Sequence, residues 1–154
     1  MNQIIDNNSL LEEHHPHQVS DYIFVYGTLR GDSPTGAHRE YLHRSDFVAP
    51  AKIRGQLFLI DYYPGLVHNE NSSDEQWVTG EIYLLQDQKQ LHQLDVYEGC
   101  APNSPKPHEY KRTIVKATLP NKEVMETWAY IYIGDTAALK LIDTGDFLRP
   151  VFIE

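Results

Sequence analysis

Residues 22–30 read Tyr-Ile-Phe-Val-Tyr-Gly-Thr-Leu-Arg, an apolar and aromatic run that stops at Gly27. A nearly continuous apolar run of this kind predicts a strand buried on both faces. A glycine directly after such a strand lets the backbone turn sharply and present N–H groups outward. Backbone N–H groups arranged in this way can hold a carboxylate or a phosphate. The stretch therefore predicts a buried strand followed by either an ordinary turn or an anion-binding loop. The spacing Gly27-x-x-x-Gly31 lacks the ending of a P-loop, so it does not indicate nucleotide binding.

Length and charge limit what kind of protein this is. The chain has 154 residues, which suits one domain, and its 41% of hydrophobic residues is ordinary for a globular protein. A formal charge of −9 without a basic cluster argues against nucleic acid and against an anionic membrane as partners. No apolar run approaches the ~18–20 residues of a membrane span. With Cys100 as the single cysteine, no internal disulfide can form. We expect a cytoplasmic protein that binds a small molecule.

Two regions are distinguished along the chain. Residues 1–20 hold acids, amides and histidines without an apolar stretch, and we interpret them as an N-terminal appendage and not as a secretory signal. Pro16 disrupts the spacing of the histidines there, so a metal site is not favoured and no metal or cofactor is expected. Residues 21–154 are predicted to form the folded domain.

The pattern after residue 30 predicts mostly strands. A bent strand is expected over 47–60, a turn at 63–65, another strand over 77–85, and a hairpin formed by 110–119 and 124–133. Helices are expected over 35–43, with Thr35 as the N-cap, and over 87–98, and a loop over 101–108. A helical turn over 137–142 and an apolar tail over 147–153 follow. These elements indicate an α+β domain: a compact, mostly antiparallel β-barrel with a few flanking helices.

The predicted helix 87–98 carries the second candidate feature, Glu98. Asp87 can cap the start of this helix, and Gly99 stands where a glycine would end it. An acid in the last helical turn is disfavoured by the helix dipole, so Glu98 is either simply exposed or has a function. If its side chain enters an apolar pocket, burial raises its pKa towards neutrality, as a general base requires.

Taken together, the ordered motifs of the chain resemble a known family. The motifs are Tyr26-Gly27-Thr28-Leu29-Arg30, Tyr63-Pro64-Gly65, Gly80-Glu81-Ile82-Tyr83, Leu94-Asp95-Val96-Tyr97-Glu98-Gly99, Tyr110-Lys111-Arg112 and Ala129-Tyr130. Over residues 22–133 the chain resembles the γ-glutamylcyclotransferase-like family. In particular, it is similar to the branch with the avirulence-induced-gene-like proteins and the γ-glutamylamine cyclotransferases.

The resemblance implies a barrel with a cavity at one end and assigns roles to residues. Glu98 corresponds to the catalytic acid/base of the family. The residues implied in substrate binding are Tyr26, Gly27, Thr28, Leu29, Arg30, Tyr63 and Tyr110. The amides of the loop would hold the glutamyl group, and the two later tyrosines would line the cavity. Arg30 either meets a carboxylate of the substrate or pairs with a neighbouring acid of the protein.

The implied reaction is the attack of the α-amine of an L-γ-glutamyl group on its own γ-carbonyl, which yields 5-oxoproline and a free amine or amino acid. Because the nucleophile is part of the substrate, this reaction requires no cofactor or metal. We expect residues 31–36 and 101–108 to contact the leaving group. The alternative is a non-catalytic binding module that keeps the fold and the carboxylate-binding pocket. A third interpretation is a partner-binding domain that uses exposed Trp and Tyr side chains.

Overall fold

The computed structural model describes residues 19–69 and 76–149. In chain order the elements are β1 (Tyr22–Val25), α1 (Ala37–Leu42), β2 (Asp46–Leu59), β3 (Pro64–His68), β4 (Trp77–Leu84), α2 (Gln88–Tyr97), β5 (Tyr110–Thr118), β6 (Val124–Tyr132) and β7 (Lys140–Leu141). In these ranges no helix is long and apolar enough to cross a membrane. Residues 1–18 of the predicted appendage, with its histidines, and residues 150–153 of the predicted tail lie outside the described residues.

Five of the strands close into a ring. β1 pairs antiparallel with β4, β4 with β2, and β2 with β3. The ring closes through two short parallel contacts, β3 with β6 and β6 with β1. β5 extends the sheet as the hairpin partner of β6, and β7 pairs with β2. This arrangement confirms the prediction of an α+β, mostly antiparallel barrel with flanking helices.

Strand β1 lies between the two hydrophobic clusters of the protein. Phe24 and Tyr26 point into the cluster that fills the barrel. Ile23 and Val25 alternate with them and belong to a second cluster, which includes Leu94 of α2. β1 is therefore buried on both faces, as its continuous apolar sequence predicts. Its end is consequently held from both sides, and the chain must turn at Gly27.

Local sequence signals placed α2 correctly. Asp87 caps the helix, because its side chain accepts a hydrogen bond of 2.9 Å from the N–H of Gln90. The helix ends at Tyr97 with Glu98 as its C-cap, and Gly99 follows with a φ of +73°, a left-handed conformation that glycine adopts at low cost. The helix terminus therefore fixes where the Glu98 side chain begins.

The structure corrects three local predictions. The turn expected at 63–65 instead lies over residues 60–63, where the N–H of Ile60 donates to the carbonyl of Tyr63. Pro64 already belongs to β3. The helical turn predicted over 137–142 is wrong, because residues 140–141 form β7 against β2. The N-cap of α1 is Gly36 and not Thr35, although the Thr35 hydroxyl accepts a hydrogen bond from the N–H of Ala37. The first two differences arise because residues 64–68 and 140–141 pair with β2.

Arg30 anchors the loop that follows β1. Its side chain is buried, and its guanidinium donates to Glu81 at 3.1 Å and to Asp146 at 2.7 Å. The second carboxylate oxygen of Glu81 accepts the N–H of Gly31 at 3.0 Å and the hydroxyl of Tyr83 at 2.8 Å. One arginine thus ties the loop to β4 and to the turn near the end of the described chain.

Replacing Arg30 should destabilise the protein markedly. Arg30→Met leaves the largely buried carboxylate of Glu81 without its cation and Asp146 with only the exposed Arg149 at 4.0 Å, and we expect a loss of about 3 kcal/mol in the free energy of unfolding. Arg30→Lys keeps the charge without the forked geometry and should lose less. Urea denaturation measures both. Arg39→Met is the matched control, because Arg39 is exposed on α1. A loss for Arg30→Met no larger than for this control would contradict the anchoring role.

Candidate active site

A cavity of about 320 Å³ lies between the end of β1, the start of β3 and the end of α2. Its described lining consists of residues 24–29, 62–64 and 97–99, with Glu109, Tyr110 and Tyr130. The structure therefore brings Glu98 together with every residue that the sequence implied in substrate binding except Arg30. Residues 31–36 and 101–108, which we expected to contact the leaving group, contribute nothing to this described lining.

The loop after β1 offers unpaired backbone donors to the cavity. It is a tight turn, in which the N–H of Arg30 donates to the carbonyl of Gly27 at 3.0 Å. Within residues 19–69 and 76–149, no acceptor meets the N–H groups of Gly27, Thr28 or Leu29. Gly27 and Leu29 are buried and Thr28 is half-buried. Buried N–H groups are almost always paired in proteins, so successive unpaired ones are an unusual feature. They can bind an anion without a cationic side chain.

Gly27 is required for the shape of this loop. A Cβ atom at position 27 would lie 2.8 Å from the side chain of Pro64, closer than real Cβ contacts. Pro64 is the first residue of β3 and also lines the cavity. The absence of a side chain at Gly27 therefore lets the loop pack directly against the opposite wall.

A hydrogen bond ties the loop to the end of α2. The hydroxyls of Thr28 and Tyr97 lie 2.7 Å apart, and the ring of Tyr97 packs against Tyr41 at 4.6 Å between ring centroids. Tyr97 is the last residue of α2 and directly precedes Glu98. This contact therefore fixes the position of the unpaired N–H groups relative to the Glu98 carboxyl.

None of the residues that the structure describes supplies Glu98 with a counter-ion in the cavity. Its side chain is partly buried, and none of the described residues donates a hydrogen bond to its carboxyl group. Burial, and after it the negative charge of Asp95, together raise the pKa of Glu98 from its ordinary value to about 8. The carboxyl is thus mostly protonated at neutral pH and can exchange its proton there.

Asp95, one helical turn before Glu98, has the opposite surroundings. Its carboxylate accepts from Arg112 at 2.7 Å and 3.2 Å and from the Tyr130 hydroxyl at 2.7 Å. The guanidinium of Arg112 in turn lies over the ring of Trp128, 4.1 Å from its centroid. This network holds Tyr130 in the cavity wall. Because Asp95 is paired with Arg112, its negative charge affects Glu98 less strongly. Burial remains the main cause of the raised pKa of Glu98.

Two of the predicted tyrosines use their hydroxyls to build the wall. Tyr26 donates to the carbonyl of Tyr130 at 2.6 Å and accepts from the N–H of Leu66 at 3.1 Å. Tyr110 donates to the carbonyl of Pro64 at 2.6 Å. Burial raises the pKa of both hydroxyls above the usual range of tyrosine, so both stay protonated. They shape the cavity, while their hydroxyl protons are already bonded within the protein.

The side chain of Arg30 points away from the cavity. It is absent from the described lining, and its guanidinium is taken up by Glu81 and Asp146. Of the two roles left open for it, the structure shows the pairing with protein acids and offers no support for substrate binding. Tyr97 and Glu109 also line the cavity, although the sequence motifs assign them no role in the site. Their only sequence signal is their position directly before Glu98 and Tyr110.

The raised pKa of Glu98 predicts how pH affects stability. The folded state keeps a proton on Glu98 up to about pH 8, whereas the unfolded chain releases it near 4.5. Between these values the folded state binds more protons, so Glu98 destabilises the protein increasingly as the pH rises. Relative to Glu98→Gln, the free energy of unfolding of the wild type should fall by up to ~1.4 kcal/mol per pH unit in this window. Urea titrations at pH 5, 6.5 and 8 measure it, and parallel pH dependences of the two proteins would contradict it.

Comparison with known proteins identifies the family. A family model described as "Gamma-glutamyl cyclotransferase, AIG2-like" matches residues 23–149. The Gamma-glutamylcyclotransferase family protein YtfP of Escherichia coli K12 is 29% identical over 133 residues, which cover 82% of this chain and 95% of YtfP.

Solved structures share the fold. An AIG2-like protein from Mus musculus superposes with a TM-score of 0.62 at 22% identity, over 86% of this chain and 85% of that one. YkqA from Bacillus subtilis gives a TM-score of 0.61 at 24% identity over 82% of this chain, which spans only 39% of YkqA. At these identities the likeness concerns the fold alone. The family match, however, extends over most of the sequence, and the chain belongs to the gamma-glutamyl cyclotransferase, AIG2-like family.

Proposed function

We propose that this protein cyclises an L-γ-glutamyl amine or amino acid to 5-oxoproline and releases the free amine or amino acid. The observation that carries the proposal is Glu98, a carboxyl group without a counter-ion whose pKa is raised to about 8. It lines the same cavity as the three unpaired N–H groups of the loop. One group that moves protons and one set of anion donors therefore face a common space.

The cavity offers complementary partners for a glutamyl group. The N–H groups of Gly27, Thr28 and Leu29 suit a carboxylate or the oxyanion that develops on the γ-carbonyl. Glu98 suits the α-ammonium group, whose positive charge supplies the counter-ion that none of the described residues provides. When the loop N–H groups hold the γ-carbonyl oxygen and Glu98 holds the α-ammonium group, the glutamyl chain is curled and the α-nitrogen is brought to the γ-carbon. Such an oriented intramolecular attack reaches effective molarities of ~10⁵ M or more.

The proton balance requires only one carboxyl group. Glu98 takes a proton from the α-ammonium group, and the free amine forms a C–N bond to the γ-carbon. The bond from that carbon to the leaving nitrogen then breaks as Glu98 returns this proton to the leaving nitrogen. The ring nitrogen loses its second proton, again through Glu98, to the released amine, which leaves as an ammonium ion. No electrons are exchanged with a third molecule. General acid–base catalysis of this kind contributes ~10²–10⁴-fold to the rate.

The composition of the cavity supports a nucleophile that belongs to the substrate. The described lining contains no serine, cysteine, histidine or lysine. Its one aliphatic hydroxyl, that of Thr28, is bonded to the Tyr97 hydroxyl and has no base beside it. Covalent catalysis needs a nucleophile next to a base, and these residues do not provide that pair.

Removing the proton carrier should stop turnover. The wild type is expected to release 5-oxoproline from at least one member of a panel of γ-glutamyl amines and amino acids. Glu98→Gln keeps the size of the side chain and should lower kcat by 10²-fold or more, with the thermal midpoint unchanged or higher. Glu123→Gln, in the β5–β6 turn, removes the same charge from an exposed site and serves as the control. No turnover by the wild type, or full activity of Glu98→Gln, would refute the proposal.

The pH dependence tests the same assignment independently. Because the free enzyme must accept a proton, kcat/KM should rise with pH towards a midpoint near 8, the pKa of Glu98. An ordinary exposed glutamate would give a midpoint near 4.3 and a flat profile above pH 6. Initial rates between pH 5 and 9 distinguish the two. A flat profile between pH 6 and 8 would show that Glu98 does not limit the reaction.

A non-catalytic binding module is the alternative function. It would keep the loop and the cavity and would hold a γ-glutamyl compound without converting it. The turnover assay combined with a thermal-shift screen separates the two, since the alternative requires a ligand that stabilises the protein and is recovered unchanged.

A further inference from the structure

The charges around the cavity are of one sign. Among its described lining residues are two acids, Glu98 and Glu109, and no lysine, arginine or histidine. The negative charge of Asp61 also acts on Tyr63, whose pKa is raised first by burial and then by Glu109 and Asp61. The proposed reaction uses Glu98 alone. The acids at the rim are thus left without a role in proton transfer.

Glu109 is held at the rim with one oxygen occupied. Its backbone carbonyl accepts the N–H of Ile133 at 2.9 Å, which fixes the chain just before β5. Its carboxylate oxygen Oε1 accepts the hydroxyl of Tyr63 at 2.7 Å. Nothing in the described part of the chain donates to Oε2. The side chain is therefore oriented by Tyr63, and half of its hydrogen-bonding capacity is free.

Aromatic rings stand beside this carboxylate. Tyr62 is 74% exposed although it lines the cavity, and its ring meets that of Tyr63 edge-on at 5.1 Å between centroids. A cation placed here would be attracted both by the electron-rich face of the ring and by the neighbouring carboxylate. A negatively charged group in the same place would meet Glu109 and Asp61 without a counter-charge.

We propose that Tyr62, Tyr63 and Glu109 form the leaving-group subsite, that Glu109 is its specificity-determining residue, and that it favours amines carrying an additional positive charge. The inference rests on the proposed γ-glutamyl reaction and refines its substrate class. The glutamyl group lies against the loop and Glu98, and the released amine points to the rim. A leaving group with an ammonium group at its far end then meets Glu109 Oε2 and the face of Tyr62. A leaving group with a carboxylate there is repelled.

Three matched γ-glutamyl amides test the subsite. The first is the amide of a four-carbon α,ω-diamine, with a terminal ammonium group. The second is the pentyl amide, in which a methyl group replaces the ammonium, and the third carries a terminal carboxylate on the same four methylenes. Binding is measured by calorimetry in the Glu98→Gln background, where no turnover interferes, and with Glu109→Gln added. Glu98→Gln/Glu123→Gln is the control, because it has the same net charge as the second protein.

We expect the ammonium amide to bind at least threefold more tightly than the pentyl amide, and the carboxylate amide to bind more weakly than both. Glu109→Gln should reduce the first ratio at least threefold, whereas Glu123→Gln should leave it unchanged. Added salt should also reduce the ratio, since an exposed charge is screened. Equal binding of the ammonium and pentyl amides, an unchanged ratio in Glu109→Gln, or no binding of any of the three overturns the proposal.

The wild-type turnover of the pentyl amide reports on the proposed function separately, because this compound makes no use of Glu109. Release of 5-oxoproline from it with equal binding of the three amides would retain the reaction and reject the subsite. Selective binding without turnover in the wild type would retain the subsite and reject the reaction.

Discussion

The hydroxyl of Tyr26 is the contact on which the architecture of the site depends. β3 and β6 meet at a single registered pair, Leu66 with Ile131, so backbone pairing alone closes the barrel weakly there. Tyr26 bridges this junction, donating to the carbonyl of Tyr130 and accepting from the N–H of Leu66. A buried hydroxyl with both of its hydrogen bonds made is rigid, and losing either would leave a buried backbone group unpaired. The end of β1 is thereby locked where two other strands meet.

The position of the loop follows from this lock. Since Tyr26 cannot move, the chain must turn at Gly27, and the contact of Gly27 with Pro64 leaves no room for a side chain. The turn is then held from outside by Arg30 and tied across the cavity by Thr28. Unpaired buried N–H groups cost ~1–3 kcal/mol each. A loop that keeps such groups at Gly27 and Leu29 is maintained by contacts around it, as strained or unsatisfied features at binding sites usually are.

The sequence predicted what local signals encode. β1, α2 and the β5–β6 hairpin were recognisable because a buried run, a capped helix and a turn between two β-prone segments are properties of neighbouring residues. β3 and β7 were missed because both are short and exist through pairing with β2. The partners of Arg30, Glu81 and Asp146, are 51 and 116 positions away, and no local pattern could name them. The segments expected at the leaving group, 31–36 and 101–108, lie outside the described lining of the cavity. Glu98 was recognisable through its resemblance to a family motif.

Two carboxyl groups one turn apart on α2 show how the surroundings divide their roles. Asp95 is enclosed by Arg112 and Tyr130, so its counter-ion is part of the protein. Glu98 has no such partner among the described residues, so its cavity favours the neutral acid until a cation arrives. An incoming α-ammonium group is such a cation. Its binding would lower the pKa of Glu98, draw the proton equilibrium towards carboxylate and ammonium, and leave both within reach of a single transfer. The missing counter-ion is therefore the property that would make Glu98 responsive to the charge of its ligand.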